Sequence, residues 1–213
     1  MKDWGAWHES YDDPSSSLSA RLRQVQLRLS EAIGQAPPGR IRLLSLCAGQ
    51  GRDVLGVLPA HPRRDDVAAV LVESDPRIAG VARQQAAEAA LRQVEVRVAD
   101  ASQPASLAGA LPADVLMLCG IFGNISEQDI RQTVAAAAAL CAAGATVIWT
   151  RHRRPPDLTP KVRAWFAENG FDEVAFDALD TRALISVGVH RLRDGPAAAL
   201  PSGPLFTFRP APG

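Results

Sequence analysis

The residues that could do chemistry stand where short apolar runs end. Arg42–Val54 reads R-L-L-S-L-C-A-G-Q-G-R-D-V: Leu43, Leu44 and Leu46 are enough for a buried strand, Ala48-Gly49-Gln50-Gly51 breaks it, and Arg52-Asp53-Val54-Leu55 restarts a helical pattern. Strand, glycine turn and helix together cradle a nucleotide-like ligand. Residues without a Cβ let backbone approach the ligand, and the helix start points free N–H groups at it. The next apolar run, Val67–Val72, ends in Glu73-Ser74-Asp75-Pro76. A carboxylate there, about twenty residues past the glycine turn, can accept from both vicinal hydroxyls of a ribose. Asp75 is beside Pro76 and two residues before Arg77, a good helix N-cap, so Glu73 is favoured for the ribose and Asp75 for capping. A third carboxylate, Asp100, follows the alternating run Val94–Val98; it is also placed to cap a helix over Ser102–Leu111.

Spacing narrows the ligand. A dinucleotide fingerprint G-x-G-x-x-G started at Gly49 needs its third glycine where Val54 stands, and no lysine is near enough for a P-loop. A dinucleotide or nucleotide-sugar enzyme is therefore opposed. The stretch resembles motif I of the class I S-adenosylmethionine-dependent methyltransferases, [DE]-x-G-x-G-x-G. On that frame Gly49 and Gly51 match, Cys47 stands at the first glycine and Ser45 at the acidic position. Glu73 resembles motif II of the same family, and Asp100 its adenine contact, where an aspartate accepts from the exocyclic amine. The resemblance implies S-adenosyl-L-methionine as cofactor and S-adenosyl-L-homocysteine as product. It assigns Cys47, Ala48, Gly49, Gln50 and Gly51 to the turn, Glu73 and Ser74 to the ribose, Asp100 and Ala101 to the adenine, and Cys119 and Gly120 to the same cradle. In the family the motif I acid helps hold the methionine ammonium. With Ser45 there, that task passes to another group or to backbone carbonyls.

The acceptor is less well marked. Methyltransferases acting on exocyclic amines of nucleic acid bases carry [ND]-P-P-[YF] after the fourth strand; here the chain reads C-G-I-F, with no proline, which disfavours that chemistry. Asn124 could orient a substrate or merely make a turn before the cap Ser126, and Cys119 reads as a nucleophile or as a small buried residue beside the cofactor. Arg151-His152-Arg153-Arg154 packs three guanidinium groups around an imidazole. Arginine forks bind carboxylate or phosphate, and His152 is a candidate base; the alternative is a solvated loop held by Asp157. Tyr11, Phe122, Asn124, Arg151 and Arg153 are the candidate substrate residues. Trp4, Trp7 and Tyr11 crowd the start of the chain, either as a lid over the mouth or as packing on the sheet.

The elements that must position these residues follow from the periodicities. Helices are expected over Ser17–Gly34 (with Leu18, Leu22, Val25, Leu29 and Ile33 on one face), Arg52–Leu58, Pro76–Arg92, Ser102–Leu111, Glu127–Ala142 and Thr159–Asn169. Strands are expected at Leu43–Leu46, Val67–Val72, Val94–Val98, Asp114–Leu118, Ala145–Thr150, Asp172–Asp177 and Leu184–Leu192, with Leu205–Phe208 as an edge strand and Arg151–Asp157 as a loop. Five βα alternations and a terminal hairpin match the class I methyltransferase layout: α/β, a doubly wound seven-stranded, mostly parallel Rossmann-like sheet with an antiparallel terminal hairpin. Residues 1–39 read as an N-terminal extension and helix, a candidate lid, and 40–213 as the cofactor-binding domain.

With 213 residues, 47% of them hydrophobic and 22% charged, the chain can bury one full core. A net charge of zero argues against a general nucleic-acid binder. The three cysteines lack the short spacings of a zinc site or disulfide framework, and no metal is expected. No apolar run reaches the ~18 residues of a membrane span, and the start lacks the apolar stretch of a signal peptide, so a cytoplasmic protein is expected. The expected acceptor is a small molecule with an oxygen or nitrogen nucleophile and an anionic group; the alternative is a non-catalytic ligand-binding or interaction protein on this fold. Nothing in the sequence sets an oligomeric state.

Overall fold

The computed structural model describes residues 13, 15–194 and 199–209. Tyr11, Trp4 and Trp7 lie outside them, and with them the expectation of a lid. Helix α1 (Ser17–Gln35) is capped by Ser16, whose hydroxyl accepts from the Ser19 amide. It is followed by β1 (Ile41–Leu46), α2 (Arg52–Leu55), β2 (Val67–Glu73), α3 (Pro76–Glu88), β3 (Val94–Val98), β4 (Ala113–Leu118), α4 (Glu127–Leu140), β5 (Cys141–His152), α5 (Thr159–Glu168), β6 (Phe171–Ala178) and β7 (Ile185–Leu192).

The seven strands form one sheet in the order β3-β2-β1-β4-β5-β7-β6. The first five pair in parallel; β7 inserts antiparallel between β5 and β6, as the short hairpin connection requires. Parallel strands buried on both faces read as near-continuous apolar runs, and β1 and β4 do so. One core layer packs α1, α2 and α3 on the sheet through Val25, Leu29, Ile33, Val54, Leu55, Ala79 and Ala82. The other packs α4 and α5 through Ile130, Val134, Val162 and Phe166 around the fully buried Trp149. Each fully buried Leu, Ile or Val contributes about 1.5–3 kcal/mol, so these layers set the fold. The Trp149 ring needs Gly188 across from it on β7: a Cβ there would lie 2.2 Å from the indole.

Several boundaries differ from expectation. Only a 3-10 turn, Pro104–Leu107, forms where a helix over Ser102–Leu111 was expected; Pro104 and Gly109, with φ of +74°, leave no room for regular turns. α2 stops at Leu55, and a separate 3-10 turn at Leu58–Ala60 carries the chain on. α4 ends at Leu140, and β5 starts at Cys141 and passes through Gly144 in the left-handed region; a register shift between Ala113 and Val115 absorbs the irregularity. β5 continues through Arg151 and His152, which pair with Ser186 and Ile185, so these two residues belong to a strand and not to the loop. Leu205–Phe208 is not an edge strand: Phe208 makes an isolated bridge to Ile125, at the carboxyl end of the sheet, and Leu205 and Phe206 are buried there. On α1 the buried row is Arg21, Val25, Leu29, Ala32 and Ile33, while Leu18 and Leu22 are half-buried, so an arginine takes the place given to a leucine.

Candidate functional site

The carboxyl ends of β1, β2 and β3 lie side by side, since these strands are neighbours in the sheet. The turn after β1 continues the ladder by one bond, from the Ala48 amide to the Val72 carbonyl (2.9 Å), and closes with Gly51 N–H to Ala48 O (2.9 Å). Cys47, Gly49 and Gly51 have φ of 54°, 59° and 73°. All three motif positions therefore take the left-handed conformation that favours glycine, although one of them is a cysteine. A Cβ on Gly51 would come within 2.9 Å of Leu55 Cδ1 and 3.0 Å of Leu71 Cδ1, so a side chain there would push both leucines aside.

Glu73 ties two strand ends together. One carboxylate oxygen accepts from the Gly49 amide (3.0 Å), the other from the Asp75 amide (2.9 Å) and the Ser74 hydroxyl (3.3 Å). Each oxygen keeps acceptor capacity for a ligand hydroxyl. Asp75 caps α3 by accepting from the Arg77 amide (2.8 Å), and its side-chain bond to Arg77 holds its carboxyl at about 2. The division of labour read from the sequence, with Asp75 as the cap, holds for that residue. Asp100 is exposed and accepts from the Ser102 amide (2.9 Å) and from Gln103 (3.4 Å). Burial pushes its carboxyl upward, but the Ser102 and Gln103 bonds outweigh that, and it lies below the usual range. Ala101 is buried beside it. Burial raises the Cys47 thiol, and the charges of Glu73 and Asp100 raise it further, so the thiol and both carboxylates share one space. Ser45 is buried within β1, away from any carboxylate role.

A second group lies beneath the turn on the α1 side. Arg21 is buried, Asp53 sits in the first turn of α2, and Cys119 and Gly120 follow β4. Burial raises the Asp53 carboxyl while Arg21 draws it down; burial and the Asp53 charge push the Cys119 thiol far above its ordinary value, against Arg21. A thiol so disfavoured as thiolate is a small buried residue and not a nucleophile. Neither Arg21 nor Asp53 was singled out from sequence. The available signal was a charged residue at one turn's spacing from Val25 on the core face of α1, and a carboxylate two residues past Gly51.

The third group joins the ends of β4 and β5. Gly120, with φ of +80°, donates its amide to the Thr150 hydroxyl (2.9 Å), and Asn124 donates from its side chain to Gly120 O (2.7 Å), so Asn124 shapes the loop. Phe122 is fully buried against Trp149. Arg151 is buried and donates through Nη1 to the Phe122 carbonyl. The His152 ring is 3.7 Å from where a Cβ on Gly123 would be; burial, then Arg151 and Arg154, lower its proton affinity. Arg153 is drawn the other way, donating to Leu179 O at the end of β6 (2.9 Å). The C-terminal segment lies over both loops, with bonds from Leu205 N to Ser102 O (2.7 Å) and from Arg209 N to Asn124 O (2.9 Å). Its return to the site had no periodic signal in the sequence.

The seven-stranded, mostly parallel sheet with its antiparallel β6–β7 hairpin is shared with solved methyltransferases. Magnesium protoporphyrin IX methyltransferase from Synechocystis PCC 6803, crystallised with bound SAM, aligns with a TM-score of 0.70 at 13% identity over 90% of this chain and 92% of that one. The fold is that of the class I methyltransferases. An O-methyltransferase family protein from Burkholderia thailandensis aligns with a TM-score of 0.61 at 17% identity over 83% of this chain, which spans 58% of that protein's length. Precorrin-6y C5,15-methyltransferase from Geobacter metallireducens GS-15 aligns with a TM-score of 0.57 at 10% identity, covering 80% and 88% of the two chains. No protein-family model and no curated protein matches the sequence. On this methyltransferase fold, the glycine turn, Glu73 and Asp100 occupy the carboxyl edge where open α/β sheets bind ligands. No helix among the described residues is long and apolar enough to cross a membrane, and no three of their His, Cys, Asp or Glu side chains are grouped to hold a metal ion.

Proposed function

We propose that the protein is a cytoplasmic S-adenosylmethionine-dependent methyltransferase acting on a small molecule through an oxygen or nitrogen nucleophile. The observation that carries this reading is the left-handed trio Cys47, Gly49 and Gly51, locked to Glu73 through the Gly49 amide, with Asp100 facing the same space. These groups fit the cofactor: the turn leaves room for backbone approach, Glu73 offers acceptors to the ribose hydroxyls, and Asp100 an acceptor to the adenine amine. When bound, S-adenosylmethionine supplies an electrophilic methyl group on a sulfonium. The protein's share is to align the acceptor with it and to remove a proton where needed. His152 is the candidate base: with its proton affinity lowered by burial, its imidazole is neutral at pH 7 and able to accept a proton. We assign the charged amino-acid end of the cofactor to Arg21 and Asp53, whose charges act on each other beside the glycine turn, since Ser45 has no charge for that role.

Isothermal titration with S-adenosylmethionine and S-adenosylhomocysteine tests the reading. Binding of both is expected; no heat and no thermal shift with either would sink it. Binding without turnover across a broad set of small acceptors favours a non-catalytic ligand-binding protein instead.

A further inference from the structure

We propose that the loop after β4, the end of β5 and the returning C-terminal segment form an anion-binding subsite charged by Arg151 and Arg209, seating a carboxylate or phosphate group of the methyl acceptor. The subsite stands on the geometry below; that the anion belongs to a methyl acceptor rests on the methyltransferase reading.

Arg151 is only 8% exposed. Its Nη1 donates to the Phe122 carbonyl, while its Nε is enclosed and has no hydrogen-bond partner. A buried guanidinium is tolerated when a counter-charge and acceptors surround it, and it costs several kcal/mol when they do not. Arg209 reaches the same loop from the other side: its amide donates to the Asn124 carbonyl (2.9 Å), next to the Phe208–Ile125 bridge, and its side chain is exposed. The two arginines are thus anchored on carbonyls two residues apart, at Phe122 and Asn124. Buried Leu205 and Phe206 pin the segment that carries Arg209.

Among the described residues, no carboxylate forms an ion pair with either of them. Asp157 and Glu127 are the acids whose charges act on Arg151. Asp157 already accepts from the Thr159 amide (2.9 Å) and hydroxyl (2.8 Å), and Glu127 pairs with Lys161 (2.6 Å). Neither forms an ion pair with Arg151 or Arg209 among the described residues. Burial and, next to it, the Arg209 charge hold the Arg151 guanidinium below its usual value, as expected for two cations near each other. His152 and Arg154 add no negative charge nearby. Planar guanidinium forks match the two or three oxygens of a carboxylate or phosphate, and the Arg151 Nε–H is still unpaired. Arg153, committed to Leu179 O, is outside the subsite.

The test reads the arginine Nε–H signals of the full chain by ¹⁵N NMR, at constant ionic strength and with S-adenosylhomocysteine present, during separate titrations with inorganic phosphate and benzoate. Arg151→Lys assigns the Arg151 signal. A saturable shift of that signal is expected with at least one anion, and the anion that gives it names the group. In Arg209→Gln, which keeps its backbone bond to Asn124, half-saturation should move to about tenfold higher anion while melting and cofactor affinity stay unchanged. Absence of a saturable shift with either anion overturns the proposal, as does a shift that Arg209→Gln leaves untouched. If S-adenosylhomocysteine itself does not bind, the cofactor reading falls, yet the anion titration still reads out.

Discussion

The two halves of the sheet's carboxyl edge treat their polar groups differently. At the ends of β1, β2 and β3, Glu73 bonds the Gly49 and Asp75 amides and Asp100 bonds the Ser102 amide. Among the described residues, none of the buried side-chain nitrogens or oxygens without a partner lies on those strands or in their loops. At the end of β5 and in the residue after it, three do: Arg151 Nε, His152 Nδ1 and Arg153 Nε. The first half is built before any ligand arrives. Glu73 holds the turn in shape, Asp100 its own loop, and both still have acceptors to give. The second half carries unmet polar atoms, which cost stability until something pairs with them. A ligand common to many proteins suits a preformed cradle; a ligand particular to this one suits the half with unmet needs.

The largest expected effect sharpens the first half of that contrast. Glu73→Ala removes the proposed ribose acceptor and leaves the Gly49 amide without its partner, and should weaken S-adenosylmethionine binding about 100-fold, whereas Asp75→Ala, which only uncaps α3, should change it less than about threefold. Titration calorimetry on both variants decides, and equal losses would mean that the carboxylates are not divided between ligand and cap.

Next in size is a pH effect from the core on the β5–β7 side of the sheet. His190 is buried, accepts from the Trp149 indole (3.1 Å), stacks on Phe166 and lies 3.7 Å from Glu173. Burial lowers its pKa to about 4. Between the unfolded value near 6.5 and that folded value, the unfolded chain binds a proton that the folded chain refuses, so stability falls as pH falls through this window. The loss should be on the order of 2–3 kcal/mol in urea unfolding. Glu173, lowered by Arg163, contributes its own loss only further down in pH. His190→Gln keeps an acceptor for the indole and should flatten the curve between pH 4 and 6.5; a slope as steep as that of the native protein would show that this cluster is not its source.

The smallest effect probes the cradle's odd residue. Cys47→Gly relieves a left-handed side chain but loosens the unfolded chain, so stability should change by less than about 1 kcal/mol and cofactor affinity by less than about threefold. A tenfold loss would mean that the thiol itself holds the ligand, and that the first half is less generic than the contrast makes it.

Much of this was legible in the residues. Alternating βα periodicity specified the sheet, because buried parallel strands must be apolar on both faces and their connecting helices on one. The strand ends placed Glu73 and Asp100, because a βαβ unit returns to the same edge after a set length of chain. The N-caps Ser126 and Asp75 were equally plain, since capping is chemistry within three residues. Boundaries failed where long-range pairing overrode local signals: Gly144 looked like a stop, yet β4 pairs with Cys141 before it and β4 and β7 pair from Thr146 after it, so β5 runs through it.

What the sequence by itself determined, then, is the order of the elements and the half of the site made of short-range bonds, as these depend on neighbours in the chain. Only the tertiary structure decided that Cys47 takes the glycine conformation, that Arg21 is buried under the turn near Asp53, and that Arg209 comes back beside Arg151. The reason is physical: a positive φ at a cysteine, a buried arginine and a tail laid over two loops have no periodicity, and each is stabilised by partners tens of residues away whose proximity exists only once the sheet has formed.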